Sequence, residues 1–463
     1  MNLGSVLNIG SNGLNAASHG TQTASQNISN ATTPGYTRRI ANLDPNPLEL
    51  GGGVRANGTT RLNDQFLEKR GLSARAYSGE SDGRVKTLAV LDTVFSDGVG
   101  TVGEALDAFD SALSDLSVTP NSAAVRQTVL SRADDLAQAF HRSTDALATA
   151  RSDANGRVVD EVGKVNAQLD EIGTLNAQIV QAKNIGQEPG DLMDKRDELI
   201  RGIATSLPVT VLPDDSGAVT VMLAGQRTLV GVDASVHHLI ATTDATSGAV
   251  RIQRQTAGQI EDITKLFTTG SIGGTIAARD GALADAQKSL DSLAFDLSTG
   301  YNTQHATGYG LDGATARNFF NAPTVAAGAA RSFGVSADVA GQPGNIAAAT
   351  DPLSLPSDNR NALALVALHD QKLGSSGTAT IQQSFSAMVA SGGAASRSAQ
   401  DQADYATTSL TQIDALRESA SGVSTDEEMM SLMKFQRAYQ ASLRVIETAD
   451  SMMSELLSMR IGG

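Results

Sequence analysis

The chain has 463 residues and no cysteine. That excludes disulfides, thiolate metal sites and cysteine nucleophiles. Tryptophan is absent and aromatics make up only 4% of residues, whereas deep ligand pockets are usually lined by aromatic side chains. No stretch approaches the ~18 consecutive apolar residues of a spanning helix, so no membrane partner is expected. The N-terminus has neither a basic region nor a continuous apolar one, so no cleavable secretory signal is expected. Basic residues number 35 against 50 acidic, a net charge of −15. Nucleic acid needs a basic face and is not an expected partner. One absence is local: the first 37 residues contain no Asp, Glu, Lys or Arg.

What fills that uncharged stretch is a seven-residue repeat. Leu7, Leu14, Thr21 and Ile28 share one phase, and Leu3, Gly10, Ala17, Ala24 and Ala31 share the other. The last 32 residues repeat in the same way. Leu432, Tyr439, Ile446 and Met453 hold one phase, and Phe435, Ser442, Ala449 and Leu456 hold the other. A 3.5-residue period is a seam for another helix, and seams at chain ends serve assembly rather than catalysis. Gly10, Gly13 and Gly20 each cost about 1 kcal/mol in a helix interior. The N-terminal segment is therefore expected to be helical only when packed. The C-terminal segment opens on a capping box, Ser424 with Glu427, reinforced by Asp426 and Glu428 at the positive end of the helix dipole. Arg460 and Gly462 suit its end. Six of the ten methionines lie in it, which suits a surface that adapts to several partners.

Between the ends the periodicity is mostly helical, over about 62–115, 122–152, 157–184 and 191–207. Val158, Val162, Val165, Leu169, Ile172 and Ile179 carry the clearest stripe, closed by Asn184-Ile185-Gly186. Residues 40–65 read as loop. From Pro208 the pattern alternates, with turns at Pro213–Gly217 and Ala224–Gln226. Helix returns at 275–305, 358–372 and 381–420, and short strands such as Phe333–Val339 are expected in the Gly- and Pro-rich region. The expected fold is mainly α, a long helical rod-like body with terminal coiled-coil helices and a small inserted β subdomain. Its parts are an N-terminal assembly helix and loop (1–45), a helical body in two parts (46–207 and 263–420, the second holding the short-strand region 306–357), the β insert (208–262) and a C-terminal assembly helix (421–463) that pairs with the first.

Catalytic chemistry is hard to find. His19, His141, His237, His238, His305 and His369 are scattered, without metal-ligand spacing. Gly308 to Gly313 matches G-x-G-x-x-G, but a helix precedes it and none follows, so it reads as a glycine turn. Asp191, Asp194, Asp197 and Glu198 read as a solvated helix face rather than paired acids. Asn27-Ile28-Ser29 matches a glycosylation sequon but lies inside the seam. No enzyme activity, cofactor or metal is expected.

The stretch Ala24-Ser-Gln-Asn-Ile-Ser-Asn-Ala-Thr-Thr-Pro-Gly-Tyr-Thr-Arg38 resembles the N-terminal signature of bacterial flagellar rod, hook and hook-associated proteins. Asn27, Asn30, Thr33, Pro34, Gly35 and Tyr36 carry the motif. The stretches Arg417–Glu428, Met433–Ser442 and Val445–Asp450 resemble the C-terminal region of the same axial family, and Asp191–Leu199, Gly273–Leu297, Tyr301–His305 and Asp358–Leu363 agree internally. The combination is similar to the hook-associated branch that joins hook to filament. The resemblance implies an extracellular structural subunit, exported through the flagellar type III gate while a cytoplasmic chaperone holds its C-terminal segment. It implies self-assembly into an axial ring or short tube, between hook protein on one side and hook-associated protein 3 on the filament side. The terminal helices would pair through Leu7, Leu14, Ile28, Leu432, Phe435, Tyr439, Ile446, Met453 and Leu456. The middle is short for the family, which implies a reduced outer domain. A hook or rod protein would share the terminal signatures but have a β-rich middle. A secreted effector or enzyme on the same route would need a catalytic constellation.

Overall fold

The structure, a computed structural model, describes residues 3–47, 52–95, 100–256 and 258–461. Gly51, within the expected loop 40–65, and Gly462, expected to close the last helix, lie outside the described residues, as does the Arg460 side chain. The fold is mainly α. In chain order α1 (Leu3–Ser29) precedes a hairpin, β1 (Arg39–Pro45) and β2 (Val54–Arg61). Helices α2 (Gln65–Val94), α3 (Val102–Val118), α4 (Ala123–Asn184) and α5 (Gly190–Ser206) follow. Strands β3 (Val209–Pro213), β4 (Val219–Leu223), β5 (Arg227–Val230), β6 (Leu239–Thr243), β7 (Val250–Thr256) and β8 (Gln259–Asp262) come next. The chain ends through α6 (Gly270–Asp280), α7 (Ala282–His305), α8 (Ala329–Ser332), α9 (Arg360–Ala367), α10 (Ile381–Ser421) and α11 (Thr425–Ile461).

Helix α4 is the spine. Its 62 residues span about 90 Å at 1.5 Å per residue. Its first half buries Val129, Leu136, Phe140 and Leu147 against α2, α3, α7 and α8 in one core. Its second half buries Val158, Val162, Val165, Leu169 and Ile172 in a second core, with α5, α6 and the strands. The six strands form two antiparallel three-stranded meanders, β3-β4-β5 and β6-β7-β8. Arg227 of β5 pairs with Glu261 of β8 at 2.6 Å and ties the two sheets together.

Several sequence expectations are corrected. Residues 122–152 and 157–184 are one helix, not two. The intervening Asn155 looks like a stop signal, but it serves a contact. Its amide donates to Gly248 O (2.9 Å), and its carbonyl accepts from Val250 N and from Arg279. The pattern over 62–115 is two helices, α2 and α3. That over 275–305 breaks into α6 and α7 at Gly281, whose backbone (φ −94°, ψ −103°) leaves the helical region. The loop expected over 40–65 is the β1/β2 hairpin, with a register shift between Ala41 and Leu43 that masks the alternation. Phe333–Val339 forms no strand, only an isolated bridge from Val335 to Phe320. Helix α9 stops at Ala367 and a short 3-10 turn, Leu368–Asp370, follows it.

Candidate assembly site

The two chain ends form one antiparallel pair. The glycines of α1 sit beneath side chains of α11. A Cβ built on Gly10 would lie 2.7 Å from Ile446 Cγ1, one on Gly13 2.6 Å from Ser442 Oγ, and one on Gly20 2.5 Å from the Phe435 ring. The buried residues of α1 are Gly10, Ala16, Ala17, Gly20, Thr23, Ala24 and Asn27, and within them Gly10, Ala17, Gly20, Ala24 and Asn27 follow a stripe at intervals of seven, three, four and three. Small residues here are holes for the knobs of α11. The glycines that weaken the isolated helix are thus the positions that let it pack. Leu7, Leu14 and Ile28 are only half-buried, beside this stripe rather than in it. On α11, Leu432, Phe435 and Ile446 are half-buried, and Tyr439 (37%), Met453 (37%) and Leu456 (58%) are exposed. The other side of α1 carries the hairpin, through Asn12 Nδ2 to Gly52 O and His19 Nε2 to Gly58 O, each 3.1 Å.

The signature stretch fastens this pair to the body. Asn27 is fully buried and makes four hydrogen bonds. Its amide donates to Arg39 O (2.8 Å) and Glu428 Oε2 (3.0 Å). Its carbonyl accepts from the Tyr36 hydroxyl (2.8 Å) and Arg39 N (3.1 Å). One side chain thereby joins α1, the loop and α11, with its hydrogen-bonding capacity filled. Gly35 turns the loop at φ +81°, a left-handed conformation that glycine adopts without strain. Thr33 donates through its hydroxyl to Asn30 Oδ1 (3.2 Å), and Tyr36 N donates to Thr33 O (3.2 Å). Pro34 and Thr33 face solvent. Burial raises the Tyr36 hydroxyl pKa above its ordinary value, against the lowering pull of Arg39, so it stays a donor at neutral pH.

Arg38 reaches forward to α11, donating to Glu428 Oε1 and Glu427 Oε2 at 2.8 Å each. Ser424 Oγ accepts from Glu427 N at 3.5 Å, so the cap expected there is loose, and the Glu427 carboxylate serves Arg38. Arg39 reaches to α5, where it pairs with Asp191 and with Asp194 (3.2 Å). Arg61 of β2 pairs with Asp194 (2.7 Å) and Asp197 (2.8 Å). The acidic run 191–198 is therefore a solvated face only in part: Asp191 (86%) and Glu198 (56%) are exposed, while Asp194 and Asp197 turn inward. It is the body's half of an ion-pair network, with the side chain of Asp194 only 10% exposed. Arg39 and Arg61 lie more than a hundred residues from these acids in sequence, and spacing carries no signal of that pairing, whereas Arg201 meets Glu198 at i, i+3 (3.0 Å). Among the described residues no group of three or more His, Asp or Glu side chains is placed to hold a metal ion.

A profile of the flagellar hook-associated protein FlgK helical domain matches residues 88–320, half of the chain. The chain belongs to the flagellar hook-associated protein FlgK family. A second profile, the C-terminal region of flagellar basal body rod FlgEFG proteins, matches residues 417–459, which hold most of α11. Flagellar hook-associated protein 1 of Escherichia coli (strain K12) is 24% identical, over 99% of this chain and 100% of that protein. The protein of the same name from Bacillus subtilis (strain 168) is 25% identical, over 97% of each. The solved flagellar hook junction protein FlgK from Burkholderia pseudomallei shares the fold, with a TM-score of 0.68 at 16% identity, covering 76% of this chain and 100% of that one. Membership in the FlgK family makes this a structural protein of the hook–filament junction of the bacterial flagellum and not an enzyme.

Proposed function

We propose that the α1/α11 pair is the element through which copies of this chain assemble into an axial ring or short tube, with the two-core body standing outside it. Hook protein lies on one side of that ring and hook-associated protein 3 on the other. The chain reaches its place by flagellar export, its C-terminal segment escorted by a cytoplasmic chaperone. One observation carries the reading: α11 packs on α1 along one edge and leaves large apolar side chains open to water along its length. Met430 (60%), Met433 (49%), Val445 (40%), Met452 (50%) and Leu457 (54%) are all exposed. Assembly removes that surface from water, at about 25 cal/mol per Å².

Two substitutions on one helix test it. Ile446 packs over Gly10, and Glu447 is exposed, about 100° further round. Ile446→Asp removes about 2 kcal/mol of apolar burial and drives a charge into the pair. Repeated in each copy, that should abolish swimming motility and leave the exported chain free in the medium. Glu447→Ala should stay within about 0.5 kcal/mol per copy and leave a functional junction. Equal motility of the two variants would overturn the reading.

A further inference from the structure

Arginines buried in this chain have acceptors, with one exception. Among the described residues Arg39, Arg126, Arg196, Arg201, Arg254 and Arg279 are at most 9% exposed. Arg126 donates to the carbonyls of Pro120 and Ile346, and Arg279 donates to Asp280 and Asn155. Arg201 meets Glu68 and Glu198, Arg196 meets Gly217 O and Asp197, and Arg39 meets Asp191 and Asp194. Arg39 and Arg196 also leave Nε unbonded, but both bond through their terminal nitrogens. Arg254, only 7% exposed, differs. Its Nε is sealed without a partner, and its terminal nitrogens, which keep a path to solvent, have no acceptor among the described residues. A guanidinium carries five donors, and a buried cation without an acceptor is costly.

Strand β7 sets the position. Val250, Ile252 and Arg254 alternate onto one face, and the first two lie in the second core. Leu239 of β6 and Glu261 of β8 stand opposite Arg254 on that face. Glu261 is the nearest acceptor in register, but Arg227 of β5 binds both of its carboxylate oxygens, at 2.6 and 3.0 Å. Arg227 (38%) and Glu261 (43%) are the exposed rim, with Arg254 behind them. Their charges cancel, and that of Arg254 remains. His237 lies two residues before Leu239, diagonal to Arg254, half-buried and without a side-chain hydrogen bond among the described residues. Burial and the charge of Arg254 hold its pKa below the ordinary value, against a raising pull from Asp233, whose carboxylate accepts from Ser235.

We propose that this junction of the two meanders is an oxyanion site, with Arg254 as its anchor. A carboxylate or phosphate group lies on the Arg254 fork, which matches two acceptor oxygens at once. The His237 ring stands beside the group, and Arg227 and Glu261 flank the mouth. The site draws on β5, β7, β8 and the segment before β6, so it gives the β insert a binding role separate from the α1/α11 pair.

The test titrates the full-length chain with inorganic phosphate, and separately with acetate, at neutral pH and constant ionic strength. The chain has six histidines, so its imidazole ring-proton signals are few, and His237→Gln identifies that of His237. This signal should shift saturably with the anion. Its titration midpoint should rise, because a bound anion favours the charged ring. The probe that saturates at the lower concentration names the group the site takes. Arg254→Gln should weaken the response at least about tenfold, since a charge-assisted bidentate contact is lost. In chloride alone that variant should melt no lower than the unaltered chain, because it removes a buried charge that has no partner. Glu261→Gln should bind the anion more tightly, because the opposing carboxylate is gone and Arg227 is released. No saturable shift with either anion would overturn the proposal. So would an unchanged response in Arg254→Gln, or weaker binding in Glu261→Gln. An Arg254→Gln chain that melts lower in chloride would show that Arg254 already has its partner within the fold, and would overturn it as well.

Discussion

The ring of Phe435 lies where Gly20 has no side chain. Two effects of opposite sign therefore meet in Gly20→Ala. Alanine favours an isolated helix by about 1 kcal/mol, yet its methyl would sit 2.5 Å from a ring carbon of Phe435. Overpacking of that kind costs about 1–3 kcal/mol. A peptide covering α1 should gain helicity by circular dichroism, while in the full chain the amides of α1 and α11 exchange faster. Slower exchange in the full chain would show that the ring moves aside at no cost. His305 gives the second prediction at this scale. It is fully buried, donates from Nδ1 to Arg317 O (2.7 Å) and accepts at Nε2 from Ala347 N (2.9 Å). Burial lowers its pKa from 6.5 to about 4. The fold therefore holds the neutral ring, and the unfolded chain takes up the proton first as pH falls. Stability is independent of this group above pH 6.5 and is lost progressively between pH 6.5 and 4. Below that window the loss totals about 3 kcal/mol. Denaturant midpoints at pH 7, 5.5 and 4 measure it, together with the His305 ring proton shift, which should stay flat down to pH 5. A titration near pH 6.5 would contradict the buried neutral ring.

At the scale of elements, burial separates the spine from the ends. Along α4, Val158, Val162, Val165, Leu169 and Ile172 are at most 4% exposed. Along the described side chains of α11 only Glu428 and Ala449 are buried. Local opening follows buried contact, so amides of 432–456 in the free chain should exchange at least about 100-fold faster than those of 158–172. Equal protection would mean that α11 belongs to the body. The same contrast explains what the sequence makes legible. The stripe from Val158 to Ile179 is readable because one helix face meets one core, so its period survives in the residue types. The seam of α11 is readable for the same reason. The hairpin escapes because its register shifts and Gly52 and Gly53 interrupt it. The continuity of α4 escapes because Asn155 and Gly156 resemble a stop, and the strands that employ Asn155 lie some ninety residues on. The fastening site is half legible. The motif Asn27 to Tyr36 announces itself as a signature, but its partners Glu428, Asp191 and Asp194 are set by tertiary placement alone.

For the whole molecule, the division of labour between ends and body is a statement about cooperativity. Neither core contains a residue of α1 or α11. The links between the terminal pair and the body run through Arg39 and Arg61 to Asp191, Asp194 and Asp197, and through Arg38 N, which donates to Ser421 O at 3.0 Å. These links hold an orientation, and the pairs that Arg39 and Arg61 make with α5 lie outside residues 425–463 and stay in place when that segment is removed. Removing residues 425–463 should therefore leave the melting temperature of the body within about 2 °C, by the proportion between lost stability and unfolding entropy. The same truncation should lower the helical circular dichroism signal by more than the share of α11 alone. It strips α1 of the knobs that fill its glycine holes and strands Asn27 without Glu428, so α1 should unfold as well. Assembly and chaperone binding should both be lost, because the face that would meet either partner is gone. A truncated chain that melts ten degrees lower would show that the ends support the cores. One that keeps the signal of α1 would show that the hairpin alone is enough to hold it.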